Sequence, residues 1–369
     1  MSRAYRVSCI EGDGIGPEIF AAARAVLATL SENFKITFDF IPTPAGDRAL
    51  KDFGEALPKQ SFAAIRESDL CLKAPVGETA RDTILVLRQE LHLYANIRPA
   101  KNYPFIESRF RGVDLVIVRE NTEDLYVGRE FEENEGKKAV ALKVVTEEAS
   151  KRIAKAAFEI ALARAEVGGK SSLVCVHKAN VLPKTDGLFL RSCDAVSNSF
   201  PSVAFSSMYV DTAAMNLVRA PEVFDVILTS NMYGDILSDE ASQVVGGLGF
   251  AASANYGDDF ALFEPVHGCA PDLVGKGIAN PLSMFFTTKM MLDWLGSKKR
   301  DPNCVAASDA LELAISAVSR SGVKTPDIGG NSSTEVVTKA VCAEILRQKN
   351  PTPGENSYGM LKEDVLVKW

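Results

Sequence analysis

Short apolar segments rich in Val and Ile alternate along the chain with amphipathic segments, and this alternation limits the possible folds. The segments VSCI, LVIVRE and FDVILTS have the composition of buried strands, whereas KRIAKAAFEIALARAE has apolar residues at helical spacing. Strands that alternate with helices indicate an α/β fold. A chain of 369 residues is too long for one compact core, so we expect two domains.

Charge and composition restrict the partners and the compartment. The net charge of -7 disfavours a nucleic-acid partner, because an acidic surface repels phosphate backbones. The sequence contains no apolar run of the ~20 residues that a membrane span needs, and its first residues are too polar for a signal peptide. The 7 cysteines are widely spaced without a CxxC pair, which indicates reduced thiols. We therefore expect a cytoplasmic protein.

A glycine-rich stretch, EGDGIGPEIF at residues 11–20, stands between an apparent strand and an apparent helix. A Rossmann fingerprint needs G-x-G-x-x-G and an acid about 20 residues later, at the end of the next strand. Here the glycines follow G-x-G-x-G, Pro17 suits the first turn of a helix, and the next strand, KITFDFIP, ends without a suitable acid. We conclude that this stretch is not the dinucleotide anchor.

Two carboxylates four residues apart occur in LTSNMYGDILSDEASQVVGGLG. If a helix begins at ILSDEASQVV, Asp235 and Asp239 lie on one face near its N-terminus. Carboxylates at this spacing suit a hard divalent cation, and Asp211 at another probable strand end adds a third acid. The structural alternative is a helix-start carboxylate beside a solvated acid.

Three arginines, Arg88, Arg98 and Arg119, stand close to predicted strand or helix ends. Together they can hold a substrate that carries several carboxylates through bidentate pairing, or each can be an exposed surface residue. Arg98 lies in the otherwise uncharged segment YANIRP, and Arg119 directly follows the apolar run DLVIV. A buried cation at these positions would need an anionic partner.

Tyr126 and Lys178 are candidates for proton transfer. Lys178 follows the apolar strand SSLVCVH at its C-terminal end, where a lysine can have a lowered pKa and carry a proton. The alternative is a lysine that extends from the strand end into solvent.

Residues 127–146, VGREFEENEGKKAVALKVVT, interrupt the alternation with charged turn residues and short strand-like pieces. This pattern predicts a hairpin or arm. Two interpretations remain open, a solvated loop and an arm that pairs with another subunit.

A long loop with many Gly and Pro residues is predicted at 263–281, FEPVHGCAPDLVGKGIANP. Loops with specified turns carry function more often than packing. Asp272 in this loop is placed to accept both hydroxyls of a ribose, and an acid in that role favours NAD because it repels the additional phosphate of NADP.

Six motifs in this order resemble the isocitrate and isopropylmalate dehydrogenase family, the β-decarboxylating dehydrogenases. They are EGDGIGPEI, YANIRPAK, VRENTEDLYVG, VHKANVLPKTDGLF, NMYGDILSDEASQVVGGLG and FEPVHGCAPDLVGKGIANP, and the resemblance covers roughly residues 5–345. It implies two α/β domains with mixed sheets and a central cleft, without the ordinary Rossmann order. Residues 1–98 plus 247–369 would form the large cofactor-binding domain, and residues 99–246 the small domain with the dimer interface.

The resemblance also implies an activity, the oxidative decarboxylation of an (R)-malate with a 3-substituent, using NAD or NADP and Mg²⁺ or Mn²⁺. The matching substrate positions are Arg88, Arg98, Arg119 and Asn180. The matching catalytic pair is Tyr126 and Lys178, and the matching metal carboxylates are Asp211, Asp235 and Asp239. The matching cofactor positions are Gly14 and Ile15 at the nicotinamide end, and Glu264, His267, Gly268, Ala270, Asp272, Leu273 and Asn280 in the long loop.

A homodimer with shared active sites is part of what the resemblance implies. In the family, the lysine and the first metal aspartate come from the neighbouring subunit, so Lys178 and Asp211 would serve the partner's cleft. Residues 127–146 match the arm that clasps the two subunits. The sequence leaves open whether two dimers pair into a tetramer.

Substrate and cofactor preferences follow from a few further positions. Ile84 and Leu85 match the paired leucines that receive an isopropyl group, and Asp82 would repel a third carboxylate, so we expect 3-isopropylmalate. Arg81 keeps homoisocitrate open as a substrate, and isocitrate, tartrate and D-malate are further alternatives. A non-catalytic regulatory subunit is disfavoured, since the chain retains the tyrosine, the lysine and the metal aspartates. NADP-using isocitrate enzymes place Lys-Tyr where this chain has Asp272 and Leu273, which favours NAD.

Overall fold

The computed structural model describes residues 4–348, so the surface tail predicted for residues 350–369 lies outside the described residues. The strands are Ala4–Ile10 (β1), Thr37–Pro42 (β2), Leu70–Lys73 (β3), Ala95–Lys101 (β4), Asp114–Glu120 (β5), Glu130–Glu133 (β6), Lys138–Ala141 (β7), Ser172–His177 (β8), Ala204–Tyr209 (β9), Val226–Thr229 (β10), Ala252–Tyr256 (β11) and Ala261–Pro265 (β12). The helices are Gly16–Phe34 (α1), Asp47–Phe53 (α2), Lys59–Arg66 (α3), Val86–Glu90 (α4), Glu147–Glu166 (α5), Thr185–Ser197 (α6), Val210–Arg219 (α7), Asn231–Val245 (α8), Leu282–Lys298 (α9), Pro302–Arg320 (α10) and Thr334–Arg347 (α11).

One 10-stranded sheet organises the molecule, in the order β2-β1-β3-β12-β11-β4-β5-β10-β8-β9. The strands on both flanks pair in parallel, as the strand–helix alternation predicts. The three central pairings, β12–β11, β11–β4 and β4–β5, are antiparallel. The predicted α/β class with a mixed sheet is therefore confirmed, and the strand order differs from that of a Rossmann fold.

The antiparallel pair β4–β5 divides the sheet into two halves that differ in chain segment. All strands on the β4 side come from residues up to 101 or from 252 onward, and all strands on the β5 side come from residues 114–229. Two smaller hydrophobic clusters differ in the same way, one around Leu237 and Ile227 and the other around Leu87 and Leu262, while the main cluster contains residues from both halves. We propose that this pair is the boundary between the two predicted domains. The large domain comprises residues 1–98 plus 247–369, and the small domain comprises residues 99–246.

Helix α9 forms the centre of the larger half. Its residues are buried on nearly all sides, including Phe285, Met291 and Trp294, which is the pattern of a helix surrounded by protein. It contacts β11, β12, α1 and α10, so it supports the antiparallel strands from one face. No helix within residues 4–348 is long and apolar enough to cross a membrane. The seven cysteines, all within this range, are free thiols.

The segment predicted as an arm contains an antiparallel hairpin, β6–β7, with Glu130 opposite Ala141 and Glu133 opposite Lys138. Nearly all of its residues are exposed in the single chain. The hairpin itself is thus present, and its pairing with another subunit stays a prediction.

Helix α8 begins at Asn231, earlier than the sequence predicts, because its first turn has a cap from another part of the chain. The carboxylate of Asp124 accepts a hydrogen bond from the backbone N–H of Met232 at 3.0 Å, which satisfies a free donor at the helix start. Asp235 therefore lies in the second turn, and Asp239 follows it by about one turn on the same face.

We predict that Phe158→Ala lowers the free energy of unfolding by about 3–5 kcal/mol, since it leaves a cavity in the core. Phe158 on α5 is fully buried and stacks against Phe200 at 5.1 Å. Urea denaturation followed by circular dichroism measures the change. Lys155→Ala on the exposed face of the same helix is the control, with an expected change within about 0.5 kcal/mol. A loss below 1 kcal/mol for Phe158→Ala would contradict the assignment of this residue to the core.

Candidate active site

A cleft of about 510 Å³ lies at the boundary between the two halves of the sheet. Its walls come from both chain segments, with Val76 and Pro265 on one side and Leu125 and Met232 on the other. Among the predicted site residues, those that line it are Ile84, Leu85, Arg88, Arg98, Arg119, Tyr126, Asp235, Glu264, His267 and Gly268.

Arg119, the penultimate residue of β5, is buried, and each of its three guanidinium nitrogens donates at least one hydrogen bond. Its guanidinium donates to Asp235 Oδ1 at 2.6 Å and to the backbone and side-chain oxygens of Asn231 at 2.7–3.0 Å. A Cβ at Gly234 would lie 2.6 Å from Arg119 Cγ, so glycine in NMYGD makes room for this side chain. Burial and the neighbouring Arg98 and Arg88 lower the pKa of Arg119 to about 9, so it is still a cation at neutral pH.

Tyr126 donates its hydroxyl to the other oxygen of the same carboxylate, Asp235 Oδ2, at 2.5 Å. The Arg119 guanidinium lies 5.0 Å from the centre of the Tyr126 ring. Burial raises the pKa of Tyr126, so the phenol holds its proton at neutral pH. The geometry therefore presents a protonated acid in the cleft beside Asp235.

Arg98, on β4, approaches the same carboxylate from the opposite half of the sheet. Its Nη1 lies 3.1 Å from Asp235 Oδ1 and 3.6 Å from Asp239 Oδ1, and its Nε donates to Asn96 Oδ1 at 2.7 Å. Burial opposes ionisation of Asp235, but Arg119, Arg98 and the Tyr126 hydroxyl outweigh it and lower the pKa of this carboxyl. For Asp239, burial has the larger effect and raises the pKa of the carboxyl.

Arg88 is held by a buried polar network that the sequence does not predict. It donates to Glu264 Oε1 and to Asn255 Oδ1, both at 3.1 Å, while Lys73 donates to Glu264 Oε2 at 2.8 Å. Asn255 is fully buried and also accepts from Asn96 at 2.8 Å, which joins the supports of Arg88 and Arg98. The signal in the sequence is an Asn inside an apolar strand, YANIR and SANY, because a buried amide needs partners.

Glu264 is the buried anion of this network. Both of its carboxylate oxygens are engaged, one by Lys73 and the other by Arg88 and Asn255. Burial opposes its ionisation, yet Lys73 and Arg88 hold the pKa of Glu264 well below its usual range. A direct contact between this residue and a cofactor stays a prediction.

Lys178 and Asp211 meet each other outside the cleft. The Lys178 ammonium lies 2.6 Å from Asp211 Oδ1, and neither residue lines the cleft that contains Tyr126 and Asp235. Asn180, in the turn after β8, is exposed and also lies outside this cleft. The structure thus separates the predicted site residues of one chain into two groups.

The carboxylates of α8 fit a divalent cation only in part. Asp235 and Asp239 are four residues apart on one helix face, and oxygen donors of this type suit Mg²⁺ or Mn²⁺. Within residues 4–348 the structure contains no cluster of three acidic, His or Cys side chains that could hold a metal ion.

The glycines of EGDGIG allow two backbones to approach closely. Gly14 has φ +62° and a Cβ there would lie 2.2 Å from the carbonyl oxygen of Cys269, while Ile15 N–H donates to that oxygen at 2.9 Å. This contact brings the turn between β1 and α1 against the long loop that follows β12. The glycines therefore serve loop–loop packing, which agrees with the rejection of a Rossmann anchor.

The long loop after β12 is fixed at its end and open along its middle. Asn280 donates to Asp327 Oδ2 at 2.8 Å and accepts from Leu282 N–H at 3.0 Å, so its amide is largely engaged. Ala270 adopts φ +41° ahead of the exposed Asp272, and a Cβ at Gly268 would meet no atom within 4 Å. In the middle of the loop, Leu273 packs against the main hydrophobic cluster, while Gly268 and Asp272 are exposed. The cofactor contacts of these residues stay a prediction.

The predicted specificity residues lie at one end of the cleft, in a turn of π-helix at Arg81–Leu85. Ile84 and Leu85 line the cleft, and Ile84 packs in the hydrophobic cluster around Leu87. Arg81 also lines the cleft, but its side chain is 64% exposed and lies 3.7 Å from Glu130 of the hairpin. This end of the cleft is therefore apolar with a paired cation at its rim.

The sequence of the chain is similar to that of known enzymes. The sequence profile described as isocitrate/isopropylmalate dehydrogenase matches residues 6–345. The chain belongs to this family. It is 49% identical over 332 residues to the 3-isopropylmalate dehydrogenase of Sulfurisphaera tokodaii, covering 90% of this chain and 96% of that protein. It is 45% identical over 344 residues to the isocitrate/homoisocitrate dehydrogenase of Thermus thermophilus, covering 92% and 98% respectively.

A solved structure supports the same fold. The crystal structure of isocitrate dehydrogenase from Methylococcus capsulatus superposes with a TM-score of 0.84 at 38% identity, covering 92% of this chain and 99% of that one. The chain is therefore an oxidoreductase of a family of NAD(P)-dependent, divalent-metal-dependent dehydrogenases that act on small malate-type substrates.

We predict that Glu264→Gln lowers the free energy of unfolding by about 3–5 kcal/mol at neutral pH, because it leaves Lys73 and Arg88 buried without their counter-charge. The folded-state pKa of Glu264 is depressed, so its contribution is complete above the unfolded value of about 4.3 and declines as the pH falls toward the folded value. The difference between wild type and variant should therefore narrow below about pH 4.

Urea denaturation of both proteins at pH 7 and pH 3.5 tests this prediction. Glu335→Gln, which removes one partner of an exposed ion pair on α11, is the matched control. A difference that stays constant with pH, or that does not exceed the control, would show that Glu264 is not the counter-charge of the two cations.

Proposed function

We propose that the protein catalyses the NAD- and metal-dependent oxidative decarboxylation of 3-isopropylmalate to 2-oxoisocaproate and CO₂. The observation that carries this proposal is a cleft lined by three buried arginines, in which Arg98, Arg119 and the protonated Tyr126 contact Asp235. Ile84 and Leu85 line the same cleft. The name of the Sulfurisphaera tokodaii relative supports the same substrate.

The arginines suit the orientation of a dicarboxylate. Each is held from behind by the protein, Arg88 by Glu264, Arg98 by Asn96 and Arg119 by Asn231. A guanidinium held in this way loses little rotamer freedom when its remaining N–H groups bind a carboxylate. The arginines therefore bind and orient the malate carboxylates, and they take no part in proton transfer.

The apolar end of the cleft selects the 3-substituent. Transfer of an isopropyl group from water to the surface of Ile84 and Leu85 would contribute roughly 2 kcal/mol. Glu130 pairs with Arg81 and so weakens the attraction of Arg81 for a carboxylate on the 3-substituent of a substrate. Homoisocitrate is the second candidate substrate, because Arg81 still lines the cleft and the Thermus thermophilus relative is named for homoisocitrate.

The chain supplies both proton-transfer groups. When they are bound, a divalent cation at Asp211, Asp235 and Asp239 supplies a Lewis acid for the substrate hydroxyl, and NAD supplies the acceptor for the hydride from C2. Lys178 accepts or relays the hydroxyl proton when its amine is neutral, and Tyr126, whose raised pKa keeps it protonated, donates a proton to C3 after CO₂ has left.

We further propose that the active unit is a homodimer in which Lys178 and Asp211 complete the partner's cleft. In one chain these residues pair with each other away from Asp235, and Asp235 and Asp239 lack a third carboxylate. Asp211 shares a face of α7 with the exposed apolar residues Met215 and Val218, at the spacing of helical neighbours. An apolar face beside an incomplete site suits burial against a second copy, with the β6–β7 hairpin as a clasp.

NAD is the proposed cofactor because Asp272 lies exposed in the middle of the open loop. A carboxylate there binds the ribose hydroxyls of NAD and repels the 2′-phosphate of NADP. Gly14 and Ile15, packed against Cys269, form the nicotinamide end of the same site.

Steady-state kinetics with 3-isopropylmalate, homoisocitrate, isocitrate, D-malate and tartrate test the substrate. We expect the highest kcat/KM for 3-isopropylmalate. Leu85→Ser should lower this value about tenfold and leave D-malate, which has no 3-substituent, nearly unchanged. Turnover of isocitrate alone, or an equal loss for both substrates in Leu85→Ser, would contradict the proposal.

The cofactor proposal predicts a higher kcat/KM with NAD than with NADP. Asp272→Lys combined with Leu273→Tyr should reverse the preference, since it replaces the repelling carboxylate with a cation. Asp259→Lys, the same charge change at a fully solvated turn, should leave the preference unchanged. A wild-type preference for NADP would refute the role of Asp272.

A further inference from the structure

Three buried charges form a cluster behind the cleft that none of the predicted roles includes. The ammonium of Lys143 lies 2.6 Å from Asp186 Oδ1 and 3.6 Å from Asp124 Oδ1. Both aspartates are almost completely buried, and Lys143 is 12% exposed. We call Lys143, Asp124 and Asp186 the Lys143 cluster.

The two carboxylates of this cluster accept hydrogen bonds from backbone N–H groups in the segments that carry the proposed catalytic residues. Asp186 Oδ2 accepts a hydrogen bond from the backbone N–H of Lys178 at 2.6 Å. Asp124 accepts from the N–H of Leu125 at 2.9 Å, immediately before Tyr126, and from the N–H of Met232 at 3.0 Å, at the start of α8. One cluster therefore fixes the segment that carries Lys178 and the two segments that carry Tyr126 and Asp235.

Lys143 also lies in the segment that joins the end of the β6–β7 hairpin to Asp124. Its neighbour Val144 pairs with Asp124 through two backbone hydrogen bonds of 2.9 and 3.4 Å, and its ammonium lies 4.4 Å from the centre of the Tyr233 ring. Asp124 adopts φ +70°, a conformation that a residue other than glycine keeps only when its surroundings enforce it.

Lys143 is the cation that lies between the two buried carboxylates, 2.6 Å from Asp186 Oδ1 and 3.6 Å from Asp124 Oδ1. Two carboxylates in one buried site raise each other's energy, and a cation between them removes that cost. Without the cation, either carboxylate would be free to shift from its present position. Such a shift would weaken a hydrogen bond that holds Lys178, Tyr126 or the first turn of α8.

We propose that Lys143, Asp124 and Asp186 are positioning residues that couple two half-sites within one chain. One half-site, with Tyr126 and Asp235, acts in the chain's own cleft, and the other, with Lys178, acts in the cleft of the second copy. This inference rests on the shared site of the proposed function. It assigns one buried cation per chain to the alignment of both active sites of the dimer.

A hybrid dimer with a single working site separates the two half-sites. One subunit carries Lys178→Met and keeps its cleft, and the other carries Tyr126→Phe and keeps its Lys178. Different affinity tags allow isolation of the hybrid. If sites are shared, the hybrid has about half the activity of the wild-type dimer while each parent homodimer is almost inactive. An inactive hybrid would refute the shared site and with it the coupling, whereas the proposed reaction is tested separately by the activity of the wild-type dimer.

Lys143→Met is then placed in either subunit of the hybrid. In the subunit that supplies Lys178, it should lower kcat about tenfold with little change in KM, because a displaced proton acceptor slows the chemical step. In the subunit that supplies Tyr126 and Asp235, it should also raise the half-saturating Mg²⁺ concentration about tenfold. Rates are expressed per folded dimer, as counted by size exclusion and circular dichroism.

The controls distinguish positioning from general structural damage. Lys143→Arg, which keeps the charge, should restore most of the activity, and Lys151→Met, at an exposed ion pair of α5, should have no effect. Asp124→Asn replaces Lys143→Met if the latter does not fold, with the same outcomes expected in both placements. Two outcomes would overturn the coupling and leave the shared site intact. One is a loss of activity in only one placement of Lys143→Met, and the other is the same loss of kcat in both placements with no change in the Mg²⁺ dependence in either.

Discussion

The site depends on the hydrogen bonds and ion pairs of the Asp235 carboxylate. It accepts the Tyr126 hydroxyl on one oxygen and is paired with Arg119 and Arg98 on the other. Two arginines this deeply buried need an anionic partner, and they in turn lower the pKa of the Asp235 carboxyl. Asp235 lies on α8, whose first turn is capped by Asp124, so its position depends on the turn before Tyr126.

The antiparallel centre of the sheet explains why these groups converge. Arg98 on β4 and Arg119 on β5 belong to the paired strands at the proposed domain boundary, with Asn96 opposite Arg119 in the register. Asn255 on the adjacent β11 accepts from Arg88 and Asn96 on the β4 side and from Asn121, directly after β5, at 2.9 Å. One buried amide therefore serves residues from both sides of the boundary. The polar network replaces apolar packing at this place, and every member that supports an arginine is hydrogen-bonded.

Much of the fold and part of the site are predictable from the sequence. Strand–helix alternation predicts the α/β class, and the spacing of Asp235 and Asp239 predicts a shared helix face, because both depend on local periodicity. The partners of Glu264 and the Lys143 cluster are not predictable in this way. Lys73 and Glu264 are 191 residues apart, and only the sheet order brings them within 2.8 Å. The early start of α8 likewise depends on a carboxylate more than one hundred residues away.

The separation of Lys178 and Asp211 from Asp235 within one chain leads to the central claim, that each site is built from two copies. A crystal structure of the Mn²⁺-loaded protein, with anomalous scattering to identify the ion, tests it most directly. We expect Mn²⁺ at Asp235 and Asp239 of one subunit and at Asp211 of its partner. An ion bound by the carboxylates of a single chain, or a dimer whose contact leaves α7 exposed, would contradict the claim.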